Sequence, residues 1–144
     1  MTTAEALTQI FRDNFVAYFR SHAAHANVVG RNFASDHKLL QKTYEDLQGQ
    51  IDTLGELLRT LQEYMPCDIQ EVLDESNLDT GAIEGTGVEL ITAGMEDLEY
   101  LVKEHRELIT VATEEGQDQI ANYAQDRVLA LEKHIWFYRA TLED

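Results

Sequence analysis

The sequence is short of the residues that mark many other fold and function classes. A single cysteine, Cys67, rules out a disulfide within the chain, and nothing asks for an oxidising compartment. A single proline, Pro66, and eight glycines in 144 residues leave long stretches free of helix breakers. No apolar run reaches the length of a membrane span, and the opening MTTAEALTQIFRDNF lacks both the basic start and the unbroken apolar core of a signal peptide. A soluble, cytoplasmic protein with no membrane partner is therefore the expectation. Positive charge is scarce as well: 11 Lys and Arg stand against 27 Asp and Glu, a formal net charge of -16. The first lysine is Lys38, and the last four residues are Thr141, Leu142, Glu143 and Asp144. Such a surface repels phosphates and draws cations, so direct binding of DNA is expected to be weak or absent.

What is present is apolar residues at helical spacing. Leu7, Ile10, Phe11, Phe15, Tyr18 and Phe19 mark a first helix from Ala4 to about His25, with a break at Val28 to Asn32. Ser35 or Asp36 is placed to cap a second, carrying Leu39, Leu40, Leu47, Ile51, Leu54, Leu57, Leu58 and Leu61 and ending before Met65 and Pro66. From Cys67 to Gly87 the pattern loosens: Ile69, Val72 and Leu73 suit one short helix, and Gly81, Gly85 and Gly87 punctuate a loop. A third helix follows, with Ile91, Met95, Leu98, Val102, His105, Ile109 and Ala112, stopping at Gly116, and a fourth runs from about Asp118 to Leu142. The expectation is one all-α domain over residues 1–144, a ferritin-like four-helix bundle with a short helix in the long crossover between helices two and three.

The chemistry-bearing residues share one pattern. Asp52 and Glu56, spaced i, i+4, put two carboxylates on one face of the second helix, where they can hold a cation. His37 projects within about 60° of Asp52 around the same helix but lies about 22 Å away along it. One subunit cannot join them. Two such helices packed antiparallel about a twofold axis would set His37 of one copy opposite Asp52 and Glu56 of the other, with His25 arriving from the first helix of the His37 subunit. Two imidazoles and two carboxylates suit Fe(II), Mn(II) or Zn(II). A site inside one bundle would want Glu-x-x-His on two helices, and the residues three before the five histidines are Phe19, His22, Ala34, Val102 and Leu131.

His22-x-x-His25-Ala26-Asn27, Gly30-x-Asn32-Phe33, His37, Tyr44, Asp52, Glu56 and Lys133-His134-Ile135-Trp136 stand in an order and spacing that resembles the Dps-type mini-ferritins over nearly the whole chain. The resemblance implies that His25 and His37 are iron ligands from one subunit and Asp52 and Glu56 ligands from its twofold mate. It implies a hollow homo-oligomeric shell of twelve subunits, and a ferroxidase that oxidises Fe(II) with hydrogen peroxide or oxygen, stores ferric mineral and so limits oxidative damage. The competing reading is a DNA-associated or purely structural shell with weak or no ferroxidase activity; four intact ligand positions favour oxidation.

Three departures bear on mechanism. Many relatives carry Trp after the first ligand histidine, where Ala26 stands here. Many carry Asp four residues after the second, where Gln41 supplies only a weak or water-linked oxygen donor. A candidate pore face at the start of the last helix reads Asp118, Asn122, Asp126, with Asn where Asp is common. His22, His105 and His134 are read as packing or surface residues, Gly85-Thr86-Gly87 as a loop without nucleotide chemistry, and Cys67 as incidental.

Overall fold

The chain folds as α1 (Thr3–Asn27), α2 (Phe33–Thr60), α3 (Ile69–Glu75), α4 (Gly87–Glu114) and α5 (Asp118–Leu142) in the computed structural model, which describes residues 1–143. Helix accounts for 79% of the residues, and no strand occurs among the described residues. This is the expected architecture of four long helices with a short one in the crossover.

Local sequence explains most of the ends. Thr2 and Glu5 close a capping box on α1, and Thr86 and Glu89 close another on α4; both are T-x-x-E signatures that satisfy orphan backbone donors. Gly87, expected in the loop, is therefore the first residue of α4. Ser35 and Asp36, expected as caps of α2, instead lie in its first turn. The helix starts at Phe33 after Asn32, which makes no side-chain cap, and the Ser35 hydroxyl and Asp36 N–H both donate to the Asn32 carbonyl. Gly116, at φ 72, ends α4 in the left-handed conformation that glycine adopts without strain.

Contacts at the helix ends fix the topology. Short connections make α1 and α2 one antiparallel hairpin, and α4 and α5 another. The Thr3 N–H donates to Glu115 at 2.6 Å, joining the start of α1 to the end of α4. A Cβ on Gly87 would lie 2.9 Å from Asp36 Oδ2, so α4 starts where α2 starts. The crossover carrying α3 thus returns the chain along the bundle, leaving α2 and α4 parallel, the ferritin-like arrangement rather than a plain up-down-up-down one.

The core has two parts. Leu40, Leu47, Leu98, Leu101, Leu131 and Ile135 pack with Tyr138 towards one end. Leu7, Ile10, Phe11, Leu54, Leu58, Leu108 and Ile120 pack towards the other. Each fully buried Leu or Ile contributes roughly 1.5–3 kcal/mol. Tyr138 needs a partner for its hydroxyl and finds Thr43 Oγ1 at 2.6 Å, and its ring lies so close to Gly94 that a Cβ there would sit 2.9 Å from Cε2. The crossover is pinned by Asp13 of α1, which accepts from the Ser76 hydroxyl at 2.6 Å and the Asn77 N–H at 2.7 Å.

Candidate metal centre

His25, near the end of α1, and His37, near the start of α2, meet across the short connection between those helices. Their rings stack with centroids 3.7 Å apart and planes 20° from parallel. His25 Nδ1 lies 2.8 Å from the His37 carbonyl oxygen, and His37 Nδ1 lies 2.8 Å from the His25 carbonyl oxygen. A carbonyl only accepts, so each Nδ1 must carry the proton and donate. In the neutral rings Nε2 is then left with its lone pair. The two imidazoles are locked in the tautomer a metal ligand needs, each by the backbone of the other. Both rings are half-buried, with Phe33 stacked on the outer face of His37 at 5.1 Å.

Asp52 and Glu56 stand exposed on the later part of α2, one turn apart. A hydrogen bond to Asp52 and the charge beside it push the Glu56 carboxyl above its ordinary value. Two like charges one turn apart repel each other, and a cation bound between them would relieve that repulsion. α2 runs unbroken from His37 to Glu56, so the histidine pair and the carboxylate pair remain about 22 Å apart from His37 to Asp52 within one chain. Among the described residues no three His, Cys, Asp or Glu side chains of one chain gather into a group able to hold a metal.

Gln41, one turn past His37, donates its amide N–H to Glu45 at 2.8 Å, which leaves its carbonyl oxygen as the atom a cation could use. Asp118, Asn122 and Asp126 are all exposed, one turn apart from one another at the start of α5.

Some functional candidates escaped the spacing argument. His22 is not a bare surface residue: its ring stacks on Tyr44 at 3.9 Å and 2°, and its Nδ1 shares a hydrogen bond with the Tyr18 hydroxyl at 2.9 Å. Tyr44 in turn stands edge-on to His25 at 5.0 Å. The steps of four from Tyr18 to His22 and of seven from His37 to Tyr44 carried that signal. His134 is half-buried and bonds Asp46 at 2.8 Å, while Arg127 grips the same carboxylate at 2.9 and 3.1 Å. Against the opposing cost of burial, those bonds hold the Asp46 carboxyl down at about 2. His105 is buried, donates Nδ1–H to the Leu101 carbonyl and has its pKa pulled down to about 4 by burial, which suits the packing role expected for it.

The chain matches the ferritin-like domain over residues 4–144. It is 28% identical over 143 residues to the DNA protection during starvation protein of Helicobacter pylori, covering 99% of both chains. It is 29% identical to antigen TpF1 of Treponema pallidum, over 96% of this chain and 79% of that one. Among solved structures, Helicobacter cinaedi CAIP superposes with a TM-score of 0.93 at 30% identity, over 99% of this chain and 100% of the other. A Dps protein from Bacillus brevis does so with a TM-score of 0.93 at 27% identity, over 98% and 95%. With its bundle topology, its unbroken α2 and a match of this extent, the chain belongs to the ferritin-like family as a Dps-type mini-ferritin.

Proposed function

We propose that this protein takes up Fe(II) as its substrate, oxidises it with hydrogen peroxide or oxygen at sites shared between two subunits, and keeps the ferric product in a hollow homo-oligomer. Membership of the Dps-type mini-ferritins supports iron storage and protection in starvation at the family level. The observation that carries the finer reading is the reciprocal His25 and His37 lock. Two imidazoles held with both Nε2 atoms free form half of a ligand set, and an exposed carboxylate pair on the same helix forms the other half. Neither half is sufficient alone, since iron in such mixed sites wants nitrogen and oxygen donors together.

A twofold axis would complete the set. With His37 of one copy facing Asp52 and Glu56 of the other, the axis passes close to Glu45 and Asp46 of both. Gly49 lies one turn away on the exposed side of α2, with nothing within 4 Å of where a Cβ would be, which leaves room for close approach of a second backbone there. Gln41 makes the second iron position weak or water-linked. The exposed Asp118, Asn122 and Asp126 and the net charge of -16 favour guidance of cations to the shell.

Anaerobic addition of Fe(II) followed by peroxide or oxygen tests the reading, with ferric absorbance and size-exclusion chromatography as readouts. Rapid oxidation with iron retained in a large soluble particle is expected. Asp52→Ala with Glu56→Ala should slow oxidation to the protein-free rate while the particle still assembles. Rapid oxidation in that variant would refute the site assignment.

A further inference from the structure

Six rings form one continuous array around the histidine half-site. Phe33 stacks on His37, His37 on His25, and His25 meets the edge of Tyr44 at 5.0 Å. Tyr44 lies parallel to His22 at 3.9 Å, and Tyr18 stands edge-on to both His22, at 5.6 Å, and Tyr44, at 6.3 Å. These are direct ring contacts, within the separations at which aromatic pairs touch. The array runs inward from the metal half-site to Tyr18, which packs against the buried core. It lies on the bundle side of His25, whereas Ala26 on the exposed side offers no ring.

The chemistry of the site gives such an array a task. Cleaving the O–O bond of a peroxide to two waters takes two electrons, and one Fe(II) supplies one. With Gln41 in place of a carboxylate, the second iron position cannot be relied on to hold the second electron donor. One-electron cleavage would release hydroxyl radical. A phenol is a competent donor when a base can take its proton, and Tyr18 has one in reach: its hydroxyl oxygen lies 2.9 Å from His22 Nδ1.

We propose that Tyr18 is the second electron donor of this site, with His22 as its proton acceptor and the Tyr44 and His22 stack as the path to His25. The inference rests on the ferroxidase reading above. In the step, peroxide takes one electron from Fe(II) and one from Tyr18, its O–O bond breaks, and two protons from solvent complete two waters. The Tyr18 proton moves to His22, leaving Fe(III) and a neutral tyrosyl radical. A second Fe(II) then returns the electron, His22 returns the proton, and the net reaction is two Fe(II), one peroxide and two protons to two Fe(III) and two waters.

The test loads the assembled protein anaerobically with one Fe(II) per site, mixes it with hydrogen peroxide, and follows ferric absorbance, freeze-quenched electron paramagnetic resonance and a hydroxyl-radical spin trap. The natural chain should give a tyrosyl signal and spin adduct near background. Tyr18→Phe should cut the tyrosyl signal at least fivefold and raise the adduct severalfold. His22→Phe keeps a ring against Tyr44 but removes the base, and should do the same although Tyr18 is still present. Tyr64→Phe, at a remote exposed tyrosine, should change neither. If the natural chain oxidises iron no faster than buffer, the ferroxidase reading falls and the relay with it. If it oxidises iron rapidly but Tyr18→Phe and His22→Phe match it in signal and adduct, the relay alone is overturned.

Discussion

At the scale of single residues, one half-buried and one buried carboxylate show how the surroundings decide protonation. Asp46 has a guanidinium and an imidazole on it and is held down at about 2. Glu104 has neither: burial, a hydrogen bond to Asp13 and the charge of Asp13 push its carboxyl up to about 10, and its Oε1 finds no partner. Glu104 is therefore protonated in the folded protein at neutral pH, whereas in the unfolded chain it ionises above 4.5. The folded state binds a proton that the unfolded state releases, so Glu104 costs stability from pH 4.5 upward, by roughly 3 kcal/mol at pH 7. Glu104→Gln keeps the shape and a donor towards Asp13 but cannot ionise. It should raise the urea midpoint at pH 7 and leave it nearly unchanged at pH 4, at fixed protein concentration; an equal effect at both pH values would show that the proton is not the cause. No pattern in the sequence pointed to Glu104, because a Glu inside an amphipathic helix reads as solvated until the fold turns it inward. The proposed ligands stood out for the opposite reason: His37, Asp52 and Glu56 share one helix, where separations have meaning at a rise of about 1.5 Å per residue, and with His25 they fall in a spaced signature that resembles the Dps-type mini-ferritins.

At the scale of elements, periodicity placed all four long helices and the short α3, because each long helix buries one stripe and the breaks fall at glycine, proline or polar clusters. The errors were at ends decided by a few hydrogen bonds, at Phe33 and Gly87. Tertiary seams were not legible at all. The seam of α1 with α4 holds a buried ion pair, Arg20 Nε to Asp97 Oδ2 at 2.8 Å, and Arg20 also donates to the Asp79 carbonyl of the crossover at 3.2 Å. Burial raises the Asp97 carboxyl even with Arg20 against it, so desolvation offsets much of the attraction. The pair registers α1 against α4 and the crossover more than it stabilises them. Asp97→Ala should thus cost about 3–5 kcal/mol by leaving a guanidinium buried without a counter-charge, whereas Arg20→Met with Asp97→Leu should come out near neutral in denaturant unfolding. A double variant as unstable as the single one would mean that the pair is a net source of stability.

At the scale of the whole molecule, charge separates two ways of guarding DNA. A protein that coats DNA must neutralise phosphates with clustered bases and release counterions, and each phosphate contact steepens the salt dependence of binding. This chain has four lysines, Lys38, Lys42, Lys103 and Lys133, within a net charge of -16. Lys42 and Lys133 do line one shallow hollow with His134 and Phe137, and Lys42 lies 5.9 Å from the Phe137 ring centre. Two lysines form a small footprint against the field of the chain's own net charge, which screening over about 8 Å at physiological salt does not cancel at the surface itself. The protein should therefore fail to retard linear duplex DNA at physiological ionic strength. It should nonetheless prevent nicking of plasmid DNA by Fe(II) and peroxide when present in excess over iron, and Asp52→Ala with Glu56→Ala should lose that protection. Retardation that weakens steeply with added salt and disappears in Lys42→Glu with Lys133→Glu would instead place DNA on that hollow, and protection surviving in the carboxylate variant would separate it from iron oxidation altogether.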